Sequence, residues 1–423
     1  MKILLLGNGG REHALAWKMA QSPLCSKLYF APGNAGTAEY GENVAIDPED
    51  NSAIYELVLD RSIDMVVVGP EAPLVNGVWN YLKRLRSTSH VPVIGPSMQG
   101  AKLEGSKAYA KRFMQEFGIP TAGYREFNTS KAAAAIRFIN KKAVPPIVLK
   151  ADGLAAGKGV VICPDKEEAL RELQEMLSGK FGQASRKVVI EEFLSGIEFS
   201  VFALTDGRDY KILPVAKDYK RVGEGDTGPN TGGMGAVSPP PFVDEKLMQK
   251  VEDRIIRPTI LGLQKRGIEY QGFLFFGLIK VGDDPFVIEY NCRLGDPETE
   301  VVLPRVKNDL VELFLAVKDR RLAEMKIIAD ERTATTIMLV SGGYPGSYEK
   351  GKVITGIENV KDSMVFHAGT TSAGGKILTN GGRVIAVTSL GRTFQDALVI
   401  SNKNATAIEF EGKYFRKDIG FDL

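Results

Sequence analysis

Lys150-Ala151-Asp152-Gly153-Leu154-Ala155-Ala156-Gly157-Lys158-Gly159 joins two short apolar runs, Ile147–Lys150 and Val160–Cys163. Runs of this length bounded by turn residues read as strands. A glycine-rich loop carrying a lysine suggests a phosphate site, but a Walker loop passes from strand to helix and ends in GK[ST]. This loop passes from strand to strand in a different order. It reads as a small-residue hairpin that folds over a triphosphate, with backbone N–H groups and Lys158 against the β and γ oxygens. Lys150, at the strand end, reaches toward the α-phosphate. A mobile surface hairpin is the alternative, but so long a loop loses chain entropy unless it closes on something.

Upstream, the first hundred residues alternate apolar runs with helical stretches. Lys2–Leu6, Lys27–Phe30, Met65–Val68 and Val91–Ile94 read as buried strands, each followed by a Gly or Pro loop. Helical patterns lie around Glu12–Gln21, Ser52–Asp60 and Leu74–Arg86. This alternation predicts a doubly wound parallel sheet with its ligands at the loops beyond the strand ends. A helix over Ser106–Phe117, closed by Gly118 and Pro120, leads to a second α/β block. Its strands are Ile147–Lys150, Val160–Cys163, Lys187–Phe193 and Phe199–Thr205, with a helix at Lys166–Leu177. A third block has a strand at Tyr210–Ala216, a Gly-rich loop, a helix near Asp244–Lys265 and strands Gly272–Lys280 and Pro285–Asn291. From about Thr333, short strands and turns predict a small, mostly β unit. The fold class is α/β, with α+β character in the middle.

Gly7-Asn8-Gly9-Gly10-Arg11-Glu12-His13 follows the first strand and opens a helix. Glu12 stands at the third glycine of a dinucleotide fingerprint, and the second strand ends Tyr29-Phe30-Ala31-Pro32, without an acid for a ribose. A nicotinamide enzyme is disfavoured. A phosphate site at the helix start, with Arg11 as a charged fork, is favoured over a purely structural turn. Val189–Leu194 runs from strand into loop, so its backbone edge could read an adenine, and Glu198 could take ribose hydroxyls. Lys220–Gly235 has six glycines in sixteen residues. Structureless loops above ~12–15 residues are usually functional or disordered, and the charges, Thr and Asn here point to a substrate loop.

The sharpest element is Phe286–Thr299, FVIEYNCRLGDPET. Strand alternation puts Glu289 and Asn291 on one face and Phe286, Ile288 and Tyr290 on the other. Two oxygen donors at i and i+2 suit Mg or Mn that also holds phosphate oxygens. Arg293 continues the alternation and could stabilise charge on a transferred phosphoryl group. Cys292 reads as a packed thiol.

Composition narrows the field. Lys plus Arg number 54 and Asp plus Glu 52, a net charge of +2 that gives no reason to expect a nucleic-acid partner. Three dispersed cysteines exclude a disulfide framework or zinc ribbon, and three histidines form no HExxH, so any metal is expected on oxygen ligands. Ile3–Leu6 is too short for a signal-peptide core, and no run approaches a membrane span. A cytoplasmic protein without membrane partners is expected.

These stretches together closely resemble the phosphoribosylamine–glycine ligase family of the ATP-grasp superfamily. The matching segments are GNGGREHALAWK at 7–18, APGNAGTA at 31–38, VGPEAPLV at 68–75, LEGSKA at 103–108, KADGLAAGKGV at 150–160, EEFL at 191–194, DTGPNTGGMGA at 226–236, IEYNCRLGDPET at 288–299, GGYPG at 342–346 and FRKDIG at 415–420. They span nearly the whole chain. The resemblance implies three units: a Rossmann-like N-terminal domain at 1–103, an ATP-grasp domain at 104–325 with a lid near 122–194, and a C-terminal domain at 326–423. It implies ATP-dependent joining of glycine to 5-phosphoribosylamine through a glycyl phosphate, in de novo purine synthesis. The sequence itself shows no oligomerisation motif, so a monomer is expected. Another ATP-grasp carboxylate–amine ligase is the alternative; a regulatory module without turnover is weakened by the full set of charged residues.

The resemblance also distributes roles. Lys107, Lys150 and Lys158 are the triphosphate lysines, with Gly157 and Gly159 beside them. Glu191, Glu192, Phe193 and Leu194 form the adenine segment and Glu198 holds the ribose. Glu289 and Asn291 are metal ligands; Arg293 and Lys158 serve the phosphoryl transfer. Gly9, Gly10, Arg11, Glu12, His13 and Glu71 face the phosphoribosyl group. Asp226, Asn230, Thr231, Gly232, Gly233, Asp296 and Glu298 line the glycine and amine sites. Two departures stand out. Phe273–Ile279 carries no acid where many ATP-grasp enzymes place a metal ligand, so metal binding completed by ATP oxygens is expected. Leu294 stands where relatives carry Phe, a change expected to affect packing more than chemistry.

Overall fold

Alternation within the first strand shows how the parallel sheet is covered on both faces. Ile3 and Leu5 pack into one core, Leu4 and Leu6 into another. Five parallel strands lie in the order Gly41–Asn43, Lys27–Pro32, Lys2–Gly7, Met65–Val68, Val93–Pro96. The helix expected over Leu74–Arg86 is two, Glu71–Val75 and Val78–Arg84. Gly77 between them has φ +83°, a left-handed backbone that ends a helix and that glycine adopts without strain.

The sheet then continues in antiparallel form. Tyr270–Val281 pairs through Tyr270 and Gln271 with Pro96 and Gly95, and further along with Ile197–Thr205 and Asp284–Asn291. The result is nine-stranded. Gly272 stands at the seam, where a β-carbon would lie 2.8 Å from the Gly95 amide nitrogen. The helix expected near Asp244–Lys265 is a rod of three segments, Glu245–Val251, a π turn at Glu252–Ile256, and Arg257–Lys265. Pro258 removes one N–H from the ladder, and the wider turn precedes it.

A separate four-stranded antiparallel sheet occupies the stretch expected as the lid, in the order Tyr124–Asn128, Lys187–Glu192, Ile147–Ala151, Val160–Cys163. Helices Ala132–Lys141 and Lys166–Leu177 cover it around Ile139, Leu149, Leu173 and Ile190. The chain enters the lid past Thr121, whose hydroxyl donates to the Val287 carbonyl at 2.6 Å.

A third large sheet is shared between distant parts of the chain. Lys217–Asp218 and Gly235–Ser238 join Thr333–Val340, Arg383–Gly391 and Ser363–His367 in one five-stranded sheet, against which helix Phe394–Ala407 packs. The glycine-rich loop between 218 and 235 is therefore tethered at both ends. It also contains a short hairpin, Arg221–Gly223 with Thr227–Asn230, turned by Gly225 at φ +64°. The computed structural model describes residues 1–154 and 159–423; Gly157 and Lys158, expected over the triphosphate, lie outside them. Among the described residues no helix is long and apolar enough to cross a membrane.

Candidate active site

Loops from all of these sheets converge on one cleft of about 640 Å³. Its floor is the strand Asp284–Asn291 and the turn after it. Glu289 and Asn291 face the cleft together, but the rest of the alternation needs correction. Glu289 pairs with Gly277 and Val287 with Leu278, which leaves Ile288 as an extra residue in a bulge. Ile288 turns to the cleft, while Val287 and Tyr290 enter the core. One inserted residue shifts a period of two, so Tyr290 parts from Phe286 and Ile288.

Partial burial pushes the Glu289 carboxyl up, yet Lys220, Lys107, Lys150 and Arg293 outweigh it and hold the group below the usual carboxylate range. Asn291 Oδ1 accepts from the Arg293 guanidinium at 3.4 Å. One ionised and one neutral oxygen donor fit a hard divalent cation that keeps several waters. Among the described residues no group of three His, Cys, Asp or Glu could hold a metal unaided, so the remaining positions would fall to water and phosphate.

Arg293 is braced by carboxylates from the N-terminal half. Its Nη2 lies 2.7 Å from Glu104 Oε1, and its Nε 3.4 Å from Glu71 Oε2. Glu104 also accepts the Cys292 N–H at 2.7 Å. Sequence reasoning missed Glu104, although it lies inside the LEGSKA stretch. The Cys292 thiol is buried, as read. Leu294 is buried too, with its side chain in the core and its carbonyl accepting from Arg11 at 3.2 Å.

At the lid end, Lys107 donates to the Gly153 carbonyl at 3.3 Å, at the shoulder of the hairpin. Gly159 lines the cleft beside it. Lys150 lies 3.1 Å from both the Ile288 carbonyl and Glu191 Oε2. The Glu191 side chain is therefore committed to lysines. Glu192 turns outward and accepts the Gly123 N–H at 2.8 Å; Phe193 is exposed, and neither it nor Leu194 is on the cleft wall. Glu198 is at the cleft, paired with Lys220 at 2.8 Å. Lys220, which opens the expected substrate loop, also lines it, as do Lys111 and Asp218, which were not anticipated. Lys111 follows Lys107 by four residues on one helix, the spacing that shares a face.

At the opposite end, Arg11, Glu71, Asn230, Thr231, Gly232, Asp296 and Glu298 all reach the cleft. Burial and the nearby Asp218 push the Glu298 carboxyl up to about 7. Gly9, Gly10 and Glu12 support this wall from behind. Glu12 accepts the Gly9 N–H and the Arg11 Nε–H, each at 2.6 Å, so the anion place at the helix start is filled by the protein itself. A β-carbon at Gly7 or Gly69 would lie 2.7 or 2.1 Å from Glu12 atoms, which explains the glycines around it. Gly10 packs on Glu300.

His13 faces away from the cleft. Its Nδ1 accepts the His367 N–H at 2.6 Å, and burial with the neighbouring His367 lowers its pKa to about 3. Asp226 also lies off the cleft, paired with Arg416 at 2.7 Å. Gly233, at φ +121°, packs over Pro297. The C-terminal sheet adds two residues that sequence reasoning missed. Arg383 donates to the Gly232 and Asp296 carbonyls at 2.7 Å each and lies 3.0 Å from Asp296 Oδ1. The Tyr344 hydroxyl accepts the Gly232 N–H at 2.9 Å.

Comparison with known proteins identifies the family. Three family models match in series, described as phosphoribosylglycinamide synthetase N domain at residues 1–104, ATP-grasp (A) domain at 105–299 and C domain at 334–422. Phosphoribosylamine–glycine ligase of a Nostoc species is 48% identical over 428 residues, covering 100% of this chain and 99% of that one. Its Chlorobaculum tepidum counterpart is 47% identical, with 99% of each chain covered. A trifunctional purine biosynthetic protein of Gallus gallus is 45% identical over 99% of this chain, which spans 42% of that longer protein. A crystal structure of phosphoribosylamine–glycine ligase from Thermotoga maritima superposes with a TM-score of 0.85 at 36% identity, covering 99% of this chain and 100% of that one. A biotin carboxylase domain from Hydrogenobacter thermophilus shares the fold, with a TM-score of 0.74 at 17% identity. The chain belongs to the phosphoribosylamine–glycine ligase family.

Proposed function

We propose that this chain joins glycine to 5-phosphoribosylamine, cleaving ATP to ADP and phosphate and releasing glycinamide ribonucleotide. The observation that carries the reading is one cleft with Lys107 and Lys150 at one end, Glu289, Asn291 and Arg293 on its floor, and mixed charges at the other. A glycine carboxylate oxygen attacks the γ-phosphorus, the bond to ADP breaks, and glycyl phosphate forms. The amine nitrogen then attacks the acyl carbon, phosphate leaves, and the nitrogen gives up a proton. No protein nucleophile is needed; the work is positioning and charge neutralisation.

Lys107 and Lys150 neutralise the phosphates, and Gly157, Lys158 and Gly159 are assigned to the same ligand. Glu191–Leu194 offers its backbone edge to adenine, and Glu198, once released by Lys220, takes the ribose. Arg293, braced by Glu71 and Glu104, meets the phosphoryl group in flight. Glu289 and Asn291 would hold Mg or Mn, which supplies further neutralisation of phosphate charge. Arg11, Asn230, Thr231, Gly232, Asp296 and Glu298 hold glycine and the amine, with Glu12 and Gly9 fixing Arg11. The units 1–103, 104–325 and 326–423 each contribute a wall.

The test is phosphate release from ATP with magnesium, glycine and fresh phosphoribosylamine, leaving out each in turn. Phosphate only from the complete mixture, with glycinamide ribonucleotide as product, supports the reading. Phosphate with a different acid or amine would transfer the site to another carboxylate–amine ligation.

A further inference from the structure

A buried cluster joins the lid to the body of the molecule. Lys111, on helix Lys107–Glu116, places Nζ 2.9 Å from Glu191 Oε2, and Lys150 places Nζ 3.1 Å from the same oxygen. All three side chains are 5% exposed or less. Among the described residues Glu191 Oε1 has no hydrogen-bond partner. Lys111 also donates to the Thr121 hydroxyl at 2.8 Å, at the entrance to the lid. Lys150 spends its second contact on the Ile288 carbonyl, beside the bulge.

Charge explains why two ammoniums share one carboxylate oxygen. Lys150 and Glu191 alone would form a neutral pair with little attraction for a polyanion. Two ammoniums and one carboxylate leave one net positive charge at the lid end of the cleft. Two of the three Lys150 donors are used among the described residues, and the third remains for a ligand. We propose that Lys111 is a positioning residue: by sharing Glu191 it keeps the charge of Lys150 available to the triphosphate. The inference rests on the proposed function only in taking ATP as the ligand of this end.

The environment of Lys111 adds a second handle. Burial is the main influence and lowers its pKa to about 8. Glu191 and Glu192 oppose that shift, and Lys150 adds to it. The Tyr124 ring lies 5.8 Å from the ammonium, and Thr121 supplies its neutral partner. Above about pH 8 the cluster therefore loses its surplus charge.

The test is calorimetric titration of four proteins with the magnesium complex of a non-hydrolysable ATP analogue at pH 7. They are the unaltered chain, Lys111→Met, Glu191→Gln and the double variant, with one, zero, two and one net positive charges in the cluster. Lys111→Met is expected to weaken binding about tenfold, the order of a partly screened charge. The double variant should return to within about threefold of the unaltered chain, and Glu191→Gln should bind at least as tightly. A purely structural Lys111 predicts the reverse, because the double variant loses two buried polar partners. A double variant no better than Lys111→Met, or weakened binding by Glu191→Gln, would overturn the proposal. If Lys111→Met does not fold, Glu191→Gln still decides. In the unaltered chain binding should also weaken above pH 8, and the double variant should lack that step. An unaltered chain that binds no analogue would overturn the ATP reading and this inference together.

Discussion

Two junctions hold the molecule together, and they are built from opposite materials. The lid meets the body through Lys111, Lys150 and Glu191, three buried groups whose charges do not cancel. The first parallel sheet meets the C-terminal sheet through His13, His367 and Asn34, which are buried and neutral. His13 Nδ1 accepts the His367 N–H at 2.6 Å, and Asn34 Nδ2 donates to the His367 carbonyl at 2.8 Å. Asn34 Oδ1 accepts from the Gly36 and Thr37 amides at 2.9 and 3.0 Å. Burial lowers the two imidazoles to pKa values of about 3 and about 4. The charged junction adjoins the end of the cleft proposed to take the triphosphate. The neutral one has only to stay shut, and satisfied dipoles do that without an ion to desolvate.

The largest expected effect separates chemistry from both junctions. Glu289→Ala should lower turnover at least ~100-fold, the usual scale for losing a group that stabilises transition-state charge. Its melting temperature should stay close to that of the unaltered chain, since Glu289 is only partly buried at a strand end. Equal loss of stability and turnover would show that Glu289 belongs to the framework. Next comes the neutral junction. His13→Ala opens a hole beside Tyr40 and Phe366 and leaves the His367 N–H without its acceptor. A cost of about 2–4 kcal/mol is expected, read as a lower urea midpoint, with the ATP KM of the folded protein unchanged. A raised ATP KM would mean that the two junctions communicate.

pH sharpens the contrast. An unfolded histidine titrates near 6.5, and these two titrate near 3 and 4 when folded. Between those values the unfolded chain binds more protons, so stability falls as pH drops from 6.5 toward 4 and is fully present above 6.5. The slope is at most about 1.4 kcal/mol per pH unit for each histidine. Lys111 contributes in a separate window, between about 8 and 10.5, where the unfolded chain again binds the extra proton. His13→Gln/His367→Gln should flatten the acid slope in a series of urea melts. An unchanged slope would place the acid sensitivity elsewhere.

The same contrast explains what could be read from the chain alone. Leu4 and Leu6, or Val66 and Val68, declare a covered strand by their neighbours in sequence, and the parallel sheet follows. Glu289, Asn291 and Arg293 sit within five residues, so their convergence is local. Arg383 meets Asp296 from 87 residues away, and Tyr344 meets Gly232 from 112; no spacing rule connects them. His13 looks like a site residue because it follows a glycine loop, and only the helix's packing against Phe366 and His367 turns it inward. Ile288 shows the limit within a single strand, since a bulge alters the period without altering the composition.

Tyr344→Phe should give the smallest effect and tests a third kind of junction, between the glycine-rich loop and the C-terminal sheet. The substitution removes only the oxygen that accepts the Gly232 N–H, and Gly232 remains held by Arg383 through its carbonyl. Gly232 is exposed, so water can replace the lost partner, and the expected cost is one ordinary hydrogen bond, about 0.5–1.5 kcal/mol. Gly232 lines the end of the cleft proposed to take the amine, so that cost should appear as a roughly two- to tenfold higher KM for the amine. The KM for ATP should not change, since Lys107 and Lys150 lie at the other end. A change confined to ATP would mean that the loop serves the lid rather than the C-terminal wall. A change in neither would show that Arg383 alone holds the loop in place.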